Sequence, residues 1–372
     1  METEQFLQQT KKLGIDFYTG VPDSQLAPLC DALYRKYGAA HKHHVVAANE
    51  GGAVGLAAGH YIAAGRPALV YMQNSGLGNA VNPIASLLHE QVYGIPCLFV
   101  VGWRGEPGVP DEPQHKFQGA ITTELLELLG IRSFILGEDP EIFPRCGALL
   151  EAGKCAAIVV KKGALTQQGK ASYESRGSLT RERALEMLLE SAGERALFVS
   201  TTGKTSRELF ELRERRGEGH ERDFLTVGSM GHALMIALGV ALERPERTVW
   251  CLDGDGAAVM HLGGMRLAAG LGCGNLIHVV MNNGAHESVG GMPVAGGTRD
   301  FAPLAERMGY PAAFQAGSED ELMQALPCLL AAEGLRFLEI KTALGSRPDL
   351  GRPAGSPQEN LAALRRWLSC GR

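Results

Sequence analysis

The chain has 372 residues, of which 45% are hydrophobic, and its formal net charge is −5. This length allows two domains of ordinary size, and the apolar content can fill a core in each. Charges of both signs are scattered without a basic block, which argues against nucleic-acid and membrane partners. Eight cysteines without Cys-x-x-Cys spacing, no signal peptide and no membrane-length apolar run predict a soluble cytoplasmic protein with reduced thiols.

The first half of the chain alternates apolar strand patterns with helical patterns, which is typical of a parallel sheet covered on both faces. Helices are predicted at 4–12, near 80–92, at 120–129 and 140–152, with two more ending near 36 and 64. Strands are predicted at 15–19, 44–47, 67–72, 96–101, 131–136 and 156–160. A long polar loop is expected at 102–115, and such loops are usually functional or mobile.

Polarity rises and periodicity is lost after the first series, so we predict a linker at 166–178 between domains at 1–165 and 179–372. The second series has strands near 196–200, 223–227, 247–252, 275–281 and 335–340, and a last helix at about 358–369. The expected fold class is α/β, with two doubly wound parallel-sheet domains.

Oxygen-bearing residues follow two apolar runs of the second half, at Gly254-Asp255-Gly256 and at Asn282-Asn283. Residues 257–281 leave room for one helix and one strand, as in a right-handed crossover. Carboxylate and amide oxygens at one sheet edge suit Mg²⁺, and a Gly-rich turn into a helix suits a phosphate. The alternative is that Asp-Gly and Asn-Gly only turn the chain.

This spacing resembles the thiamin diphosphate (ThDP) binding motif of ThDP-dependent enzymes. The resemblance implies that Asp255, one of Asn282 and Asn283, and the backbone carbonyl of Ala285 hold the metal, and motif matching favours Asn283. It also implies that Gly254, Gly256 and Ala257 contact the diphosphate. Asp253 can instead hydrogen-bond within the turn.

Two further stretches fit the same family. In the loop 226–231, Met230 matches the apolar residue that wedges between the cofactor rings, and Gly228 matches the carbonyl that faces the aminopyrimidine; taken alone, Met230 would read as a core residue. Glu50 matches the carboxyl placed against the pyrimidine N1′, where a raised pKa suits proton transfer. Taken alone, Glu50 would read as a helix-dipole partner.

Loop motifs narrow the resemblance to the phosphonopyruvate/sulfopyruvate decarboxylase branch of the family. The motifs lie at 20–24, 74–79, 102–108, 111–115 and 282–288. The chain has no room for the middle domain of larger 2-oxo acid decarboxylases. The resemblance implies ThDP- and Mg²⁺-dependent decarboxylation of 3-phosphonopyruvate to phosphonoacetaldehyde and CO2.

The extra anionic group of such a substrate calls for donors at the sheet edge. Arg104 is the first candidate, because its guanidinium offers a fork of donors. The loop with Asn74, Ser75 and Gly76 is the second, because it opens a helix. For proton transfer we single out Asp23, His115 and His286, beside Glu50. Their alternatives are a helix cap for Asp23 and solvated loop positions for the two histidines.

The family's architecture implies a homodimer or larger even assembly with the active site at the subunit interface. The implied partner is a small 2-oxo acid with a phosphonate group. The first alternative is sulfopyruvate decarboxylation. A nicotinamide dehydrogenase is a second, because residues 76–81 half-match a dinucleotide loop but lack its third glycine. A non-catalytic ThDP-fold module is a third.

Overall fold

The computed structural model describes residues 1–167, 169–173, 175, 177–297 and 300–370, and of Ser288 only the backbone. The predicted linker therefore includes three positions, 168, 174 and 176, that lie outside the described residues. The chain forms two compact units, one of residues 1–173 with 286–296 and one of residues 174–285 with 297–372. Within the described ranges, no helix combines the length and apolar character that crossing a membrane requires.

The first unit is a parallel sheet with helices on both faces. Its helices are α1 Thr3–Lys12, α2 Ala27–Tyr37, α3 Glu50–Ala64, α4 Leu77–Pro83, α5 Pro113–Leu128 and α6 Ile142–Glu151. Its strands are β1 Tyr18–Gly20, β2 Ala40–His41, β3 His44–Val46, β4 Ala68–Gln73, β5 Cys97–Gly102, β6 Arg132–Ile135 and β7 Ala156–Val160. The strand order is β2-β3-β1-β4-β5-β7-β6, and β2 alone runs antiparallel to its neighbour.

The second unit repeats this architecture. Its helices are α7 Arg181–Ser191, α8 Lys204–Arg215, α9 Ala233–Glu243, α10 Asp255–Met260, α11 Gly263–Leu271, α12 Ala302–Met308, α13 Glu319–Ala331 and α14 Pro357–Ser369. Its strands are β8 Leu197–Ser200, β9 Asp223–Leu225, β10 Val249–Gly254, β11 Leu276–Asn282, β14 Ala312–Ala316 and β15 Arg336–Lys341. The short strand β12 Ala285–His286 spans the boundary between the units, and the short strand β13 Met292–Pro293 belongs to the first unit. The main sheet of the second unit has the order β14-β15-β11-β10-β8-β9.

Each sheet separates two apolar cores, because successive strand residues point to opposite faces. In β4, Leu69 and Tyr71 enter one core while Val70 and Met72 enter the other. Strands buried on both faces read as continuous apolar runs, which is why the sequence located most of them. The expected α/β fold class, with two doubly wound parallel sheets and no middle domain, is confirmed.

Several elements differ from the sequence predictions. Helix α5 begins at Pro113 rather than near residue 120, because proline is favoured in the first helical turn. In place of the helix expected near 80–92, the α-helix ends at Pro83 and a π-helical turn, Ile84–Leu88, follows it. The edge strand β14 was missed, since its sequence Ala-Ala-Phe-Gln-Ala is poor in β-branched residues.

One segment from the second half of the chain belongs to the first unit, which the sequence does not predict. Residues 286–296 belong to the first unit because Val289 and Met292 are buried in a core that also contains Leu29 and Leu33 of α2. These apolar side chains give the segment a stable place in that core.

Candidate active site

Four loops of the first unit leave the carboxyl edge of its sheet side by side. Strands β3, β1, β4 and β5 are consecutive neighbours and run parallel. The loops that follow them carry Glu50, Asp23, Asn74 and Arg104, in that strand order. Since ligands of open α/β sheets bind outside the carboxyl ends of the strands, this edge is the candidate site of the unit.

Glu50 opens helix α3 and is buried. The helix starts here because the Asn49 side chain caps it by accepting the Gly52 N–H at 2.8 Å. The Asn79 amide donates to Glu50 Oε2 at 2.8 Å. Burial raises the pKa of the Glu50 carboxyl, and the hydrogen bond from Asn79 only partly opposes this. The side chain can therefore hold a proton that an exposed glutamate would lose.

Gly76 lies against the Glu50 side chain. A Cβ built on Gly76 would lie 2.5 Å from Glu50 Cγ and Oε1, well inside van der Waals contact. Its φ of −73° is open to any residue, so the absence of a side chain matters here for space rather than for backbone conformation. This close approach fixes where the carboxyl can sit.

Asp23 is buried beside the same edge and does not cap helix α2. It accepts hydrogen bonds from Gln73 Nε2 at 2.6 Å and from the Gln25 N–H at 2.9 Å. Burial raises the pKa of Asp23 above its ordinary value despite these hydrogen bonds. Gln73, which also accepts from Ser75 Oγ at 2.7 Å, is a site residue that sequence reasoning missed. The one feature of the sequence that could have indicated Gln73 is its position at the end of a strand.

Arg104 is paired rather than free. Its Nε donates to Asp111 Oδ2 at 2.8 Å and its Nη2 donates to Asp111 Oδ1 at 2.5 Å, in a bidentate arrangement. This contact holds the pKa of Asp111 well below its usual range, so the carboxylate stays ionised at neutral pH. Asp111 is a second residue that the sequence did not single out for a role of its own.

His115 lies in helix α5 and is buried, so the alternative of a solvated loop position is wrong. Among the described residues, its Nδ1 has no hydrogen-bond partner. Burial and, to a smaller extent, the positive charge of Arg104 lower the pKa of its imidazole. A neutral ring with one nitrogen available can take part in proton transfer.

His286 belongs to the segment 286–296 of the first unit. Burial lowers the pKa of its ring to about 4, and its Nε2 has no hydrogen-bond partner among the described residues. By its accessible surface His286 is half-buried, and it lies in the short strand β12 rather than in a loop.

The metal-motif loops of the second unit lie next to each other. Strands β10 and β11 are parallel neighbours with Gly254 opposite Met281, so Asp255 and Asn282 leave the sheet together. Asp255 is buried; its Oδ2 accepts the Gly284 N–H at 2.6 Å and its Oδ1 accepts the Gly256 N–H at 2.7 Å. The donor set is entirely oxygen, which fits Mg²⁺.

The two asparagines have different surroundings. Asn282 is buried, and its amide donates to the buried carboxylate of Glu339 at 2.7 Å while its Oδ1 accepts the Gly284 N–H at 3.1 Å. Asn283 is only partly buried, and its Oδ1 accepts the Ala285 N–H at 3.0 Å. Asp253 bonds within the turn as expected, by accepting the Gly254 N–H at 2.9 Å.

The loop with Met230 has an unusual backbone. Ser229 has a φ of 46° and Gly231 a φ of 88°, both in the left-handed region. Between them Met230 is only partly buried, so it is not a core residue of this unit. Gly228 donates its N–H to Thr202 Oγ1 at 3.0 Å. Non-glycine residues with such φ values cluster at functional sites.

Comparison with known proteins covers most of the chain. Residues 3–126 match the family "Thiamine pyrophosphate enzyme, N-terminal TPP binding domain", and residues 201–340 match its C-terminal TPP binding domain. Both halves therefore correspond to ThDP-binding domains, which leaves no support for the nicotinamide dehydrogenase alternative.

Three relatives align along almost the whole chain. A phosphonopyruvate decarboxylase of Streptomyces hygroscopicus is 37% identical over 96% of this chain and 91% of its own length. One of Streptomyces viridochromogenes is 35% identical over 96% of this chain and 92% of its own length. A sulfopyruvate decarboxylase of Methanosarcina acetivorans is 26% identical over 98% of this chain and 97% of its own length. The chain therefore belongs to the thiamin pyrophosphate enzyme family and, within it, to the branch of the phosphonopyruvate decarboxylases.

Proposed function

We propose that the protein uses ThDP and Mg²⁺ to decarboxylate 3-phosphonopyruvate to phosphonoacetaldehyde and CO2, a step of phosphonate biosynthesis. The observation that carries the proposal is the buried Glu50 carboxyl, with its raised pKa, at the sheet edge of a ThDP-binding domain. Similarity over 96% of the chain to phosphonopyruvate decarboxylases supports the choice of substrate.

Bound ThDP would supply the electron sink that the loss of CO2 requires. Glu50 would hold a proton at the pyrimidine N1′, and Asn79 would keep its carboxyl in place. Asp23, His115 and His286 are the proposed groups for the remaining proton transfers. For the cofactor we propose contacts from Gly228, Met230, Gly254, Gly256 and Ala257, as the family motif implies.

For Mg²⁺ we propose Asp255, the side-chain oxygen of Asn283 and the backbone carbonyl of Ala285. The family motif favours Asn283, and the Nδ2 of the buried Asn282 donates to Glu339, a bond that could hold the loop in place. Asn282 would then support the metal loop rather than bind the ion.

The two asparagine variants should therefore fail in different ways. Asn283→Ala is expected to weaken Mg²⁺ affinity by at least about tenfold with little loss of stability. Asn282→Ala should instead lower the free energy of unfolding by roughly 1–3 kcal/mol, because it leaves Glu339 with one donor fewer. Titration of activity with Mg²⁺ and urea unfolding of each variant measure the two quantities. The reverse pattern would assign the metal to Asn282.

Filling the space beside Glu50 should also impair catalysis. Gly76→Ala is expected to displace the carboxyl and lower turnover by about 10²-fold, the usual cost of a misplacement near 1 Å. Gly78→Ala is the matched control, since a Cβ there meets nothing within 4 Å and it lies two residues further on, in helix α4, of which Gly76 is the N-cap. Steady-state rates of CO2 release compare the two variants. Equal activities would show that the position of Glu50 is not critical.

We further propose a homodimer or larger even assembly, in which Glu50 of one subunit serves the metal site of another. Mixing inactive Glu50→Gln and Asp255→Asn chains by unfolding and refolding together tests this directly. Random pairing of dimers should restore roughly a quarter of wild-type activity, since half of the dimers regain one intact site. No recovery in a mixture that forms heterodimers would contradict a shared site.

Measuring CO2 release from phosphonopyruvate, with and without ThDP and Mg²⁺, tests the proposed reaction. We expect release only when both are present. Sulfopyruvate decarboxylation is the second candidate, because a relative with that name covers 98% of the chain. A large preference for sulfopyruvate over phosphonopyruvate, measured as kcat/KM on the same preparation, would replace the proposed substrate.

A further inference from the structure

The backbone of Arg104 is held by a single buried side chain, Asn74. The Arg104 N–H donates to Asn74 Oδ1 at 3.2 Å, and the Arg104 carbonyl accepts from Asn74 Nδ2 at 2.8 Å. The second hydrogen of Nδ2 is directed to Thr122 Oγ1 at 2.9 Å. Both donors of Asn74 are thus occupied within the unit, so this side chain supports Arg104 and has no donor to offer a ligand.

The guanidinium of Arg104 is held by Asp111. Besides the two bonds from Arg104, the Asp111 carboxylate accepts the Gly105 and Glu112 N–H groups, each at 2.8 Å. A bidentate carboxylate that is itself tied to the backbone fixes the plane of the guanidinium. Asp111 therefore decides which edge of Arg104 faces outward.

The two residues that flank Arg104, Trp103 and Gly105, pack against helix α5. Trp103 Nε1 donates to the Gly119 carbonyl at 2.9 Å. Gly105 has a φ of 69° and packs so closely on the His115 carbonyl that a Cβ could not fit. These contacts hold the backbone around Arg104 in place, and a side chain that recognises a ligand needs such rigid support.

One part of the guanidinium remains directed away from these supports. Nη1 lies 3.3 Å from Ser24 Oγ, in the loop after β1. Ser24 is exposed, and 21% of the Arg104 side chain remains accessible. A guanidinium N–H pair and a hydroxyl at this spacing can both donate to the oxygens of one tetrahedral anion.

We propose that the Nη1 edge of Arg104 and the hydroxyl of Ser24 form the subsite for the phosphonate group, with Asn74 and Asp111 as positioning residues. This inference rests on the proposed function and names the part of that site that receives the anionic end of the substrate. Because Asp111 offsets the charge of Arg104, recognition depends on the geometry of the donors more than on net positive charge.

The test compares Ser24→Ala, Arg104→Lys and Asp111→Asn as ThDP-loaded enzymes. Each is expected to raise KM for phosphonopyruvate about tenfold, the usual effect of losing a hydrogen bond to a charged group, with kcat within about twofold. Lysine keeps the positive charge but lacks the planar set of N–H donors of a guanidinium. A raised KM in Arg104→Lys would therefore show that donor geometry, and not charge alone, determines substrate binding. If Asp111 acts only through Arg104, Asp111→Asn should add nothing in the Arg104→Lys background.

Asp139→Asn is the matched control. Asp139 pairs with Arg145 at 2.6 Å and also accepts a backbone N–H, that of Glu141, but it follows the edge strand β6, two strands away from β5. Its KM should equal that of the wild type. An unchanged or lowered KM in Ser24→Ala and Asp111→Asn, with an active wild type, would overturn the subsite.

A non-reactive probe separates this inference from the proposed reaction. The wild-type holoenzyme should bind 3-phosphonopropionate, measured by calorimetry, and Ser24→Ala and Arg104→Lys should weaken that binding. Weakened binding would support the subsite even if phosphonopyruvate proved not to be decarboxylated. Equal binding in wild type and both variants would refute it whatever the reaction.

Discussion

Replacing Glu50 by glutamine is expected to lower turnover by about 10²–10⁴-fold, the usual contribution of a positioned acid–base group. Glutamine keeps the shape of the side chain and can still accept the hydrogen bond that Asn79 donates to Oε2. What it loses is the exchangeable proton. The fold and the affinity for ThDP should therefore survive while CO2 release fails.

The same substitution should stabilise the cofactor-free protein at neutral pH. Burial raises the pKa of Glu50, so its contribution to stability is fully present below the unfolded-state pKa and is lost as pH rises through the folded-state pKa. Glutamine is neutral at every pH and avoids that loss. The variant should melt above the wild type at neutral pH, and the difference should shrink as pH falls toward the ordinary glutamate pKa.

Two measurements check these expectations together. Steady-state CO2 release gives the activity, and thermal unfolding without ThDP over a pH series gives the stability. Glu124→Gln, at an exposed position of α5, serves as the control and should change neither. Full decarboxylation by Glu50→Gln would remove the catalytic role of Glu50, whereas a wild type that binds ThDP but releases no CO2 would favour the non-catalytic ThDP-fold module.

The second large effect is expected at Asp255. Asp255→Asn should abolish the Mg²⁺-dependent part of ThDP binding, and with it activity, because it removes the one anionic ligand of the proposed metal site. A ligand at a hundred times its Kd stabilises the wild type by about 2.7 kcal/mol, and this increment should vanish in the variant. The thermal shift on adding ThDP with Mg²⁺ measures it.

Asp253→Asn is the matched control for this prediction. Asp253 lies two residues away, is equally buried and also accepts a backbone N–H, but it is not among the proposed ligands. Its variant is expected to lose stability and yet keep a Mg²⁺-dependent shift. A full shift in Asp255→Asn would show that the metal is held elsewhere.

Local signals explain what was predicted correctly from the sequence. Each strand buried on both faces is a continuous apolar run, and each site motif follows such a run directly, as at Asp255 after β10 and Glu50 after β3. The short crossover between Gly254-Asp255-Gly256 and Asn282-Asn283 makes β10 and β11 neighbours, which the register confirms. These features depend on residues close together in the chain.

Other features depend on strand order, which no local pattern carries. Gln73 reaches Asp23 across 50 positions because β4 lies beside β1, and Asn74 reaches Arg104 across 30 because β4 also lies beside β5.

By itself, the sequence thus determined the two-domain fold, the cofactor family and the residues that follow each strand. Tertiary structure alone decided that Arg104 is paired, that Asn74 supports it and that Gly76 lies against Glu50. The physical reason is that hydrogen bonds and steric contacts form between side chains that the order of strands in the sheet brings together. Such contacts cannot be predicted from the spacing of residues along the chain.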